Sequence, residues 1–514
     1  MTEQLTPQNE RPPKPRRRRR WLRRLLTLAI ILALPAAAWL GWYSYAAWSL
    51  ATEVQSLRDA GEPMDLDDFD RPAIPDEQNA AVLYRQAAND IRRIMDAEKT
   101  ADDAEGDWRR AYPTPYALRE PADALAALEP YRPALVLLRE ARLRPEMNWG
   151  YPLAQFMDDE SDFWKDGALI NIRRCGDVLS LAAGSEHTSG NDAESLERCS
   201  DILAAADAIN TIPLMIGELV AASSRNQARM VLEVLAPELQ IGEEPGEASR
   251  EQVRELIRRL LDDTPRSEAF AMAAKGERAF VWHHWTSNTI PREEEWSWAR
   301  TMRSMEIDDD AGELHRWLVL DVYHPAMSIL MKPEGVLRTR NWVGGLSVVA
   351  NNASSPDCGS LLAKVSQVLD RPAWLDALYA ETYWEAIPDM FERWVTIHYE
   401  SEATLRMAAI ALALRMYEID NGQRPETLAI LVPQYIDALP PDPFDFAGGT
   451  FRYLPDAGRP RLYSVGADGI DHGGATEFER RQVEDVDDAF FLNGADEASG
   501  DPFLALQAQA DAAR

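Results

Sequence analysis

The sequence predicts a mainly α-helical protein with an N-terminal transmembrane helix and a small antiparallel β module near the C-terminus. Three observations support this fold class. An uncharged apolar segment lies near the N-terminus, apolar residues recur at three- and four-residue spacing through most of the chain, and short alternating segments follow residue 448. The length of 514 residues and the hydrophobic fraction of 46% allow a substantial buried core.

The formal net charge of −31 is distributed unevenly along the chain. The first 24 residues carry nine Lys or Arg and two acidic residues, so the remainder, with 45 basic and 83 acidic residues, has a formal charge of −38. A surface of that charge repels phosphate backbones and anionic lipid headgroups, which argues against nucleic acid as a partner of the main body. Basic protein partners and cations suit it better.

Residues 25–52 contain no charged side chain, and this segment exceeds the roughly 20 residues that a helix needs to cross a bilayer. Arginines Arg16–Arg20 precede it, and aromatic residues from Trp39 to Trp48 lie toward its far end. We therefore expect residues 1–24 to be a cytoplasmic tail and 25–52 a single-pass anchor in the inner (cytoplasmic) membrane, with the main body periplasmic. A cleaved twin-arginine signal ending at Ala36–Ala38 is the alternative, but the apolar segment continues well past those alanines.

Three cysteines, Cys175, Cys199 and Cys358, are few for an extracytoplasmic protein of this size. Cys175 and Cys199 each lie twelve residues from His187, in what the pattern predicts to be two antiparallel helices. That symmetry allows a disulfide across the hairpin, and two buried thiols are the equally open alternative. Cys358 has no expected partner.

The body from residue 53 to 402 has the pattern of paired helices separated by short polar turns. The pairs are similar in length and composition to tetratricopeptide-like helical repeats. A hinge with Pro245, Gly246 and a capping Ser249 divides helical region 1 (53–240) from helical region 2 (241–402). Further along, the apolar run Met407–Leu414 is too short to cross a bilayer, so we expect its helix to pack through one apolar stripe.

Residues 403–495 form a distinct module, followed by a tail of residues 496–514. A long helix ends at Asn421-Gly422, and Pro425 and Pro433 bound the short helical segment "ETLAILV". The sequence "ALPPDPFDF" then precedes two short strands, "TFRYL" and "RLYSV", and a loop "GADGIDHGG". This order of landmarks resembles the globular part of the major pseudopilin of type II secretion systems, including its "YSLGADG" strand and loop.

The resemblance implies a calcium ion in this module. Its ligands would be Asp468 in the glycine loop with Asp487 and Asp488 in "EDVDDAFFL", and Asp471 and Asp485 are further candidates. Calcium prefers six to eight oxygen ligands, and carboxylates with loop carbonyls supply them.

Two departures separate the chain from a pilus subunit. The N-terminal span is preceded by arginines and carries no early glutamate, and about 350 residues lie between it and the module. The arrangement of the whole chain is similar to that of membrane-anchored proteins of bacteria such as planctomycetes. We therefore expect a membrane-anchored extracytoplasmic interaction or scaffold protein, associated with secretion or pili, that binds protein partners.

No catalytic motif supports an enzyme. The sequence lacks the nucleophile elbow, the phosphate-binding loop, the dinucleotide fingerprint and the zinc motif, although His398 and Glu402 lie one helical turn apart. The alternative function is an extracytoplasmic hydrolase with a site in the tryptophan-rich helical region near His283-His284. The sequence identifies no small-molecule substrate.

Overall fold

A computed structural model describes residues 16–101, 128–157, 168–286, 324–369, 386–455, 460–475 and 488–492. The chain divides into two compact units, one of residues 1–56 with 301–341 and the other of residues 57–300 with 342–514. Within the described residues the helices and strands are, in order, α1 (Arg16–Asp59), α2 (Ala80–Ala101), α3 (Arg132–Arg142), α4 (Ala168–Thr188), α5 (Asp192–Ile209), α6 (Met215–Leu235), α7 (Arg250–Leu261), α8 (Thr264–Thr286), α9 (His324–Asn351), α10 (Cys358–Leu369), α11 (Ala386–Asn421), β1 (Arg452–Leu454), β2 (Arg461–Ser464) and β3 (Asp488–Phe491). The mainly helical fold with a small antiparallel sheet is as predicted.

Helix α1 is long and apolar enough to cross a membrane between Arg24 and Asp59, and its most apolar stretch is not buried. No other helix within the described ranges passes that test. The predicted anchor therefore lies in a helix of suitable length and composition. Cleavage and orientation stay predictions.

Helices α4 and α5 form the predicted hairpin, and α6 packs against both. The side chain of Asn191 accepts a hydrogen bond from Glu194 N and so caps α5. Across the hairpin, Ser195 Oγ donates to the carbonyl of Ala183 at 2.7 Å. These contacts establish helical hairpins, and the tetratricopeptide type stays a prediction.

The three cysteines are free thiols, and each is buried. The disulfide that the symmetry of Cys175 and Cys199 allowed is therefore not formed, and the alternative of two buried thiols is confirmed. Burial raises the pKa of both thiols, and it raises the pKa of Cys358 to about 12. Buried thiols with raised pKa values are packing groups rather than nucleophiles.

Helix α11 lies at the centre of the second unit, where it packs against α6, α7, α10 and the sheet. Almost every residue from Ala403 to Met416 is buried. A helix that is apolar on all sides must be enclosed, so the predicted single stripe was too narrow. The run Met407–Leu414 does pack, as expected, because neighbours cover it on every side.

The C-terminal module begins where α11 ends at Gly422, which has a left-handed φ of 74° as predicted. The segment expected to be a short helix is a 3-10 turn, Leu428–Leu431. The strands form an antiparallel sheet in the order β1-β2-β3, with Tyr453 opposite Leu462 and Tyr463 opposite Ala489. The hairpin β1–β2 is therefore confirmed.

A buried carboxylate joins the two landmark motifs of this module. Asp442 of "PPDPF" accepts hydrogen bonds from Ser464 Oγ at 2.7 Å and from Val465 N at 3.0 Å, and both donors belong to "YSVGADG". The sheet is also held on α6, because Phe491 N donates to Glu233 Oε1 at 2.7 Å. One continuous core runs from α2 to β3. The boundaries predicted after residues 240, 402 and 495 stay predictions.

Candidate functional site: a cleft over helix α11

A cleft of about 1040 Å³ lies over helix α11 in the second unit. Its walls are the end of α7, the first turns of α8, the turn after α9 and the proline-rich loop 433–441. A volume of this size is at the upper end of what ligand sites enclose. The cleft is therefore large enough to admit a ligand to the centre of the unit.

The floor of the cleft is a polar stripe on the central helix α11. His398, Glu402 and Arg406 are spaced four residues apart on α11, so they lie on one face, and all three line the cleft. Each is buried by the rest of the protein. Because buried polar groups are costly unless they are paired, each member needs a partner from a neighbouring helix.

Arg266 of α8 supplies the partner of Glu402. Its guanidinium contacts both carboxylate oxygens, with Nη2 at 2.7 Å from Oε2. Burial alone would raise the pKa of Glu402, but the charge of Arg266 and its hydrogen bonds hold that pKa below its usual range. The carboxylate is therefore ionised, and the pair joins α8 to α11 beneath the cleft.

Glu218 of α6 supplies the partner of His398. His398 Nδ1 lies 2.9 Å from Glu218 Oε1, and the same oxygen is 3.2 Å from Arg225 Nη1. Burial would raise the pKa of Glu218, but Arg225 and then His398 hold it below its usual range. An ionised carboxylate only accepts hydrogen bonds, so Nδ1 carries a proton, and in the neutral form of the ring Nε2 is then an acceptor.

The imidazole is also fixed in orientation. Phe270 of α8 stacks on His398 with ring centroids 3.9 Å apart and an interplanar angle of 6°. No hydrogen-bond partner of His398 Nε2 exists among the described residues. The floor of the cleft therefore holds an oriented imidazole whose Nε2 has no hydrogen-bond partner among the described residues.

The rim of the cleft is mostly acidic. Exposed carboxylates there are Asp262, Glu268 and Asp437, and exposed cations are Arg254 and Arg258. Asp262 accepts a hydrogen bond from Thr264 N at 3.2 Å and so caps the start of α8. The side chains of Glu268 and Asp437 form no hydrogen bond or ion pair with any other residue that the structure describes.

The residues predicted to bind calcium lie elsewhere, in the C-terminal module. Asp468 accepts a hydrogen bond from Ile470 N at 2.9 Å and lies 2.9 Å from His472 Nε2. Asp488 begins β3 opposite Ser464, while Asp485 and Asp487 lie outside the described residues. Within the described ranges no three His, Cys, Asp or Glu side chains are grouped to hold a metal ion. Calcium stays a prediction.

Among these acids, Asp471 stabilises its own loop and the neighbouring strand. It accepts hydrogen bonds from Gly473 N at 2.8 Å and from Tyr463 Oη at 3.2 Å. These bonds account for its position without a bound ion.

His283, from the segment considered for a hydrolase site, does not line the cleft. His283 is exposed near the end of α8, while the cleft is lined by the first turns of the same helix. The sequence identified His398 and Glu402 only as a pair without a zinc motif. Arg406 extends the same spacing of four residues, and this repeat of polar residues on one helix face was the signal in the sequence that could have indicated the site. Nothing in the sequence pointed to Glu218 or Arg266, because these come from other helices.

Comparison of the chain with family models, curated proteins and solved structures gives no match.

Proposed function

We propose that this protein is a single-pass, membrane-anchored interaction protein whose main body lies on the extracytoplasmic side. The apolar helix α1, preceded by arginines, supports the anchor, and the positive-inside rule supports a cytoplasmic N-terminus. The body binds its partner through the cleft over α11. The single observation that carries this proposal is the polar floor of that cleft, where His398 keeps an unused acceptor at the base of a cavity of about 1040 Å³.

The orientation is tested by protease accessibility. In spheroplasts, externally added protease is expected to degrade the body while an N-terminal epitope tag stays protected. A body that resists protease until the membrane is lysed would place it in the cytoplasm and would overturn this part of the proposal.

The binding function is tested by site-specific crosslinking in cells. A photoreactive amino acid at Asp437, on the cleft rim, is expected to crosslink to a discrete partner. The matched control is the same amino acid at Glu243, an exposed acid that does not line the cleft. Equal crosslinking from both positions, or none from Asp437, would contradict a partner site in the cleft.

An association with secretion or pili and a calcium-stabilised module are the finer parts of the proposal, and they rest on the resemblance of residues 403–495 to pseudopilins. Thermal melting of the detergent-solubilised chain is expected to show a higher midpoint with calcium than with chelator, since a ligand that binds the folded state stabilises it. The Asp468→Asn variant is expected to lose that shift. Identical midpoints with calcium and with chelator in the wild-type protein would contradict a calcium-stabilised module.

A hydrolase is the second candidate, and one observation favours it. A buried carboxylate holds Nδ1 of His398 and leaves Nε2 as an acceptor, which is the arrangement of an imidazole general base. A panel of fluorogenic esters, amides and glycosides would reveal turnover that His398→Gln abolishes. Turnover that survives this substitution, or no turnover at all, would leave the binding function as the sole proposal.

A further inference from the structure

The charges of the cleft differ in whether they are already neutralised. The two buried cations at or beneath its floor are neutralised. Arg266 contacts Glu402 and two backbone carbonyls. Arg406 Nη2 lies 2.9 Å from Asp263 Oδ2. Arg406 also donates to the carbonyl of Pro441 at 3.0 Å. These guanidinium groups are committed to the protein itself, so they offer little to an anionic ligand.

Of the two exposed cations of the rim, Arg258 is also paired. Arg258 contacts Glu251 and Glu255 along its own helix. The pKa of Asp420 is held low first by a hydrogen bond from Arg250, and the charge of Arg254 contributes to the same effect. Arg254 itself lines the cleft and forms no ion pair with any described residue, so it is an exposed positive charge on the rim.

Two carboxylates of the rim, by contrast, are unused. Glu268 lies on α8 and Asp437 on the proline-rich loop, and neither side chain is paired with another described residue. Below them His398, 1% exposed, offers its free Nε2 lone pair. Carboxylates above and a nitrogen acceptor below form a site that is complementary to a positively charged hydrogen-bond donor.

We propose that the cleft binds a ligand bearing an ammonium or guanidinium group, held between Glu268 and Asp437 with His398 accepting a hydrogen bond at the floor. This inference rests on the proposed binding function of the cleft and specifies its ligand chemistry. Two sources carry such groups, a free polyamine and a Lys- or Arg-containing polypeptide segment. The net negative charge of the body would attract either one.

Isothermal titration of the full chain in nanodiscs of neutral lipid, at low salt, tests the proposal with three probes. These are spermidine, an end-blocked trilysine peptide and an end-blocked triglutamate peptide. The test variant is Glu268→Gln with Asp437→Asn. Its matched control is Glu243→Gln with Glu244→Gln, which removes two exposed negative charges outside the cleft lining.

We expect spermidine or trilysine to bind and triglutamate not to bind. The cleft variant is expected to weaken the binding at least tenfold, and the control variant less than twofold. Tighter binding of spermidine would identify a polyamine ligand, and tighter binding of trilysine a polypeptide. Equal losses in both variants would mean that binding follows overall charge, and this result, or no binding of either cation, would overturn the proposal.

The two proposals fail separately. If the cation probes do not bind while Asp437 still crosslinks to a discrete partner, the ligand chemistry is wrong and the binding function stands. If the crosslink is also absent, the cleft is not a binding site.

Discussion

Two groups of buried charge in this protein are similar in composition and differ in what surrounds them. In the first, between α3 and α5, Asp201 has a fully buried side chain and is contacted by three arginines: Arg139 at 2.8 Å, Arg142 at 3.1 Å and Arg198 at 3.4 Å. Glu194 contacts two of the same arginines, at 2.9 and 2.8 Å. Each charge in this group has a partner of opposite charge, and none of these residues lines the cleft.

The second group, beneath the cleft, contains Glu218, His398, Glu402 and Arg266. It is also buried and paired, yet it borders the cavity, and Nε2 of His398 has no hydrogen-bond partner among the described residues. Burial of charge is therefore a poor marker of a functional site in this protein. The distinguishing feature is the cavity beside the second group, through which a ligand can reach its polar atoms.

The largest expected effect comes from removing one member of a buried pair. Arg266→Met leaves the Glu402 carboxylate buried without its partner, which should cost about 3–5 kcal/mol in free energy of unfolding. Chemical denaturation of the solubilised chain measures it. The double variant Arg266→Met with Glu402→Leu should recover most of the loss, because no unpaired charge remains.

Asp201→Asn is the matched control in the first group. It should leave partner crosslinking at the cleft unchanged in the folded protein. A cost below 1 kcal/mol for Arg266→Met, or loss of crosslinking in folded Asp201→Asn, would contradict the distinction between the two groups.

A smaller effect is expected at Asp177 of α4, a carboxylate with no arginine in direct contact. Burial raises its pKa to about 6, despite Arg173, Arg174 and the hydrogen bond from Gln227. A raised carboxyl pKa favours the folded state below the unfolded value of 3.8, and that contribution is lost as the pH rises through about 6.

Asp177→Asn should therefore match the wild type near pH 3.5 and become more stable by up to about 3 kcal/mol above pH 6.5. Unfolding free energies measured across that range check the result. Equal pH profiles for the two proteins would show that Asp177 is not desolvated, whereas Glu243→Gln, at an exposed position, should leave the profile unchanged.

Next comes Asp442, whose carboxylate joins the two motifs of the C-terminal module. Asp442→Asn keeps the size of the side chain but replaces one acceptor oxygen with a donor facing Ser464 Oγ or Val465 N. A buried unsatisfied group of this kind should cost about 1–3 kcal/mol. Thermal unfolding measures it, with Asp437→Asn on the exposed cleft rim as the near-neutral control. An equal change in both variants would contradict a structural role for Asp442.

The smallest effect is expected where an ion pair is open to solvent. Arg250 and Asp420 join the start of α7 to the end of α11, and both side chains remain more than a quarter exposed. Solvent and salt screen such a pair, so Arg250→Ala should cost less than about 1 kcal/mol. The cost should shrink further in 0.5 M NaCl. A loss of stability as large as that of Arg266→Met would mean that solvent exposure does not distinguish the Arg250–Asp420 pair from the buried Arg266–Glu402 pair.

Much of the fold followed from local signals. The uncharged segment 25–52, the glycine stop at Gly422 and the alternating strands around Tyr453 and Tyr463 are each encoded within a few residues, and each lies where it was predicted. Local signals predicted the structure less well at positions where tertiary packing determines the burial or the form of a helix. The stripe expected on α11 became an enclosed helix, and the predicted short helix became the 3-10 turn Leu428–Leu431.

The candidate site was largely beyond sequence reasoning, for a geometric reason. His398 and Glu402 were visible as neighbours on one helix, but their roles depend on Glu218 and Arg266, which lie more than 130 residues away. Periodicity reports which residues share a helix face and not which helices meet. The calcium ligands stay untested, since Asp487 lies outside the described residues.

The sequence by itself determined the helical character, the apolar N-terminal span, the acidic body and the hairpin of the C-terminal module, because propensity, hydropathy and charge are local properties of the chain. Only the tertiary structure decided that α11 is the central helix, that Cys175 and Cys199 remain free, and that one polar face of α11 borders a cleft. These features depend on which distant surfaces pack together, and that choice is made by the free energy of the whole core.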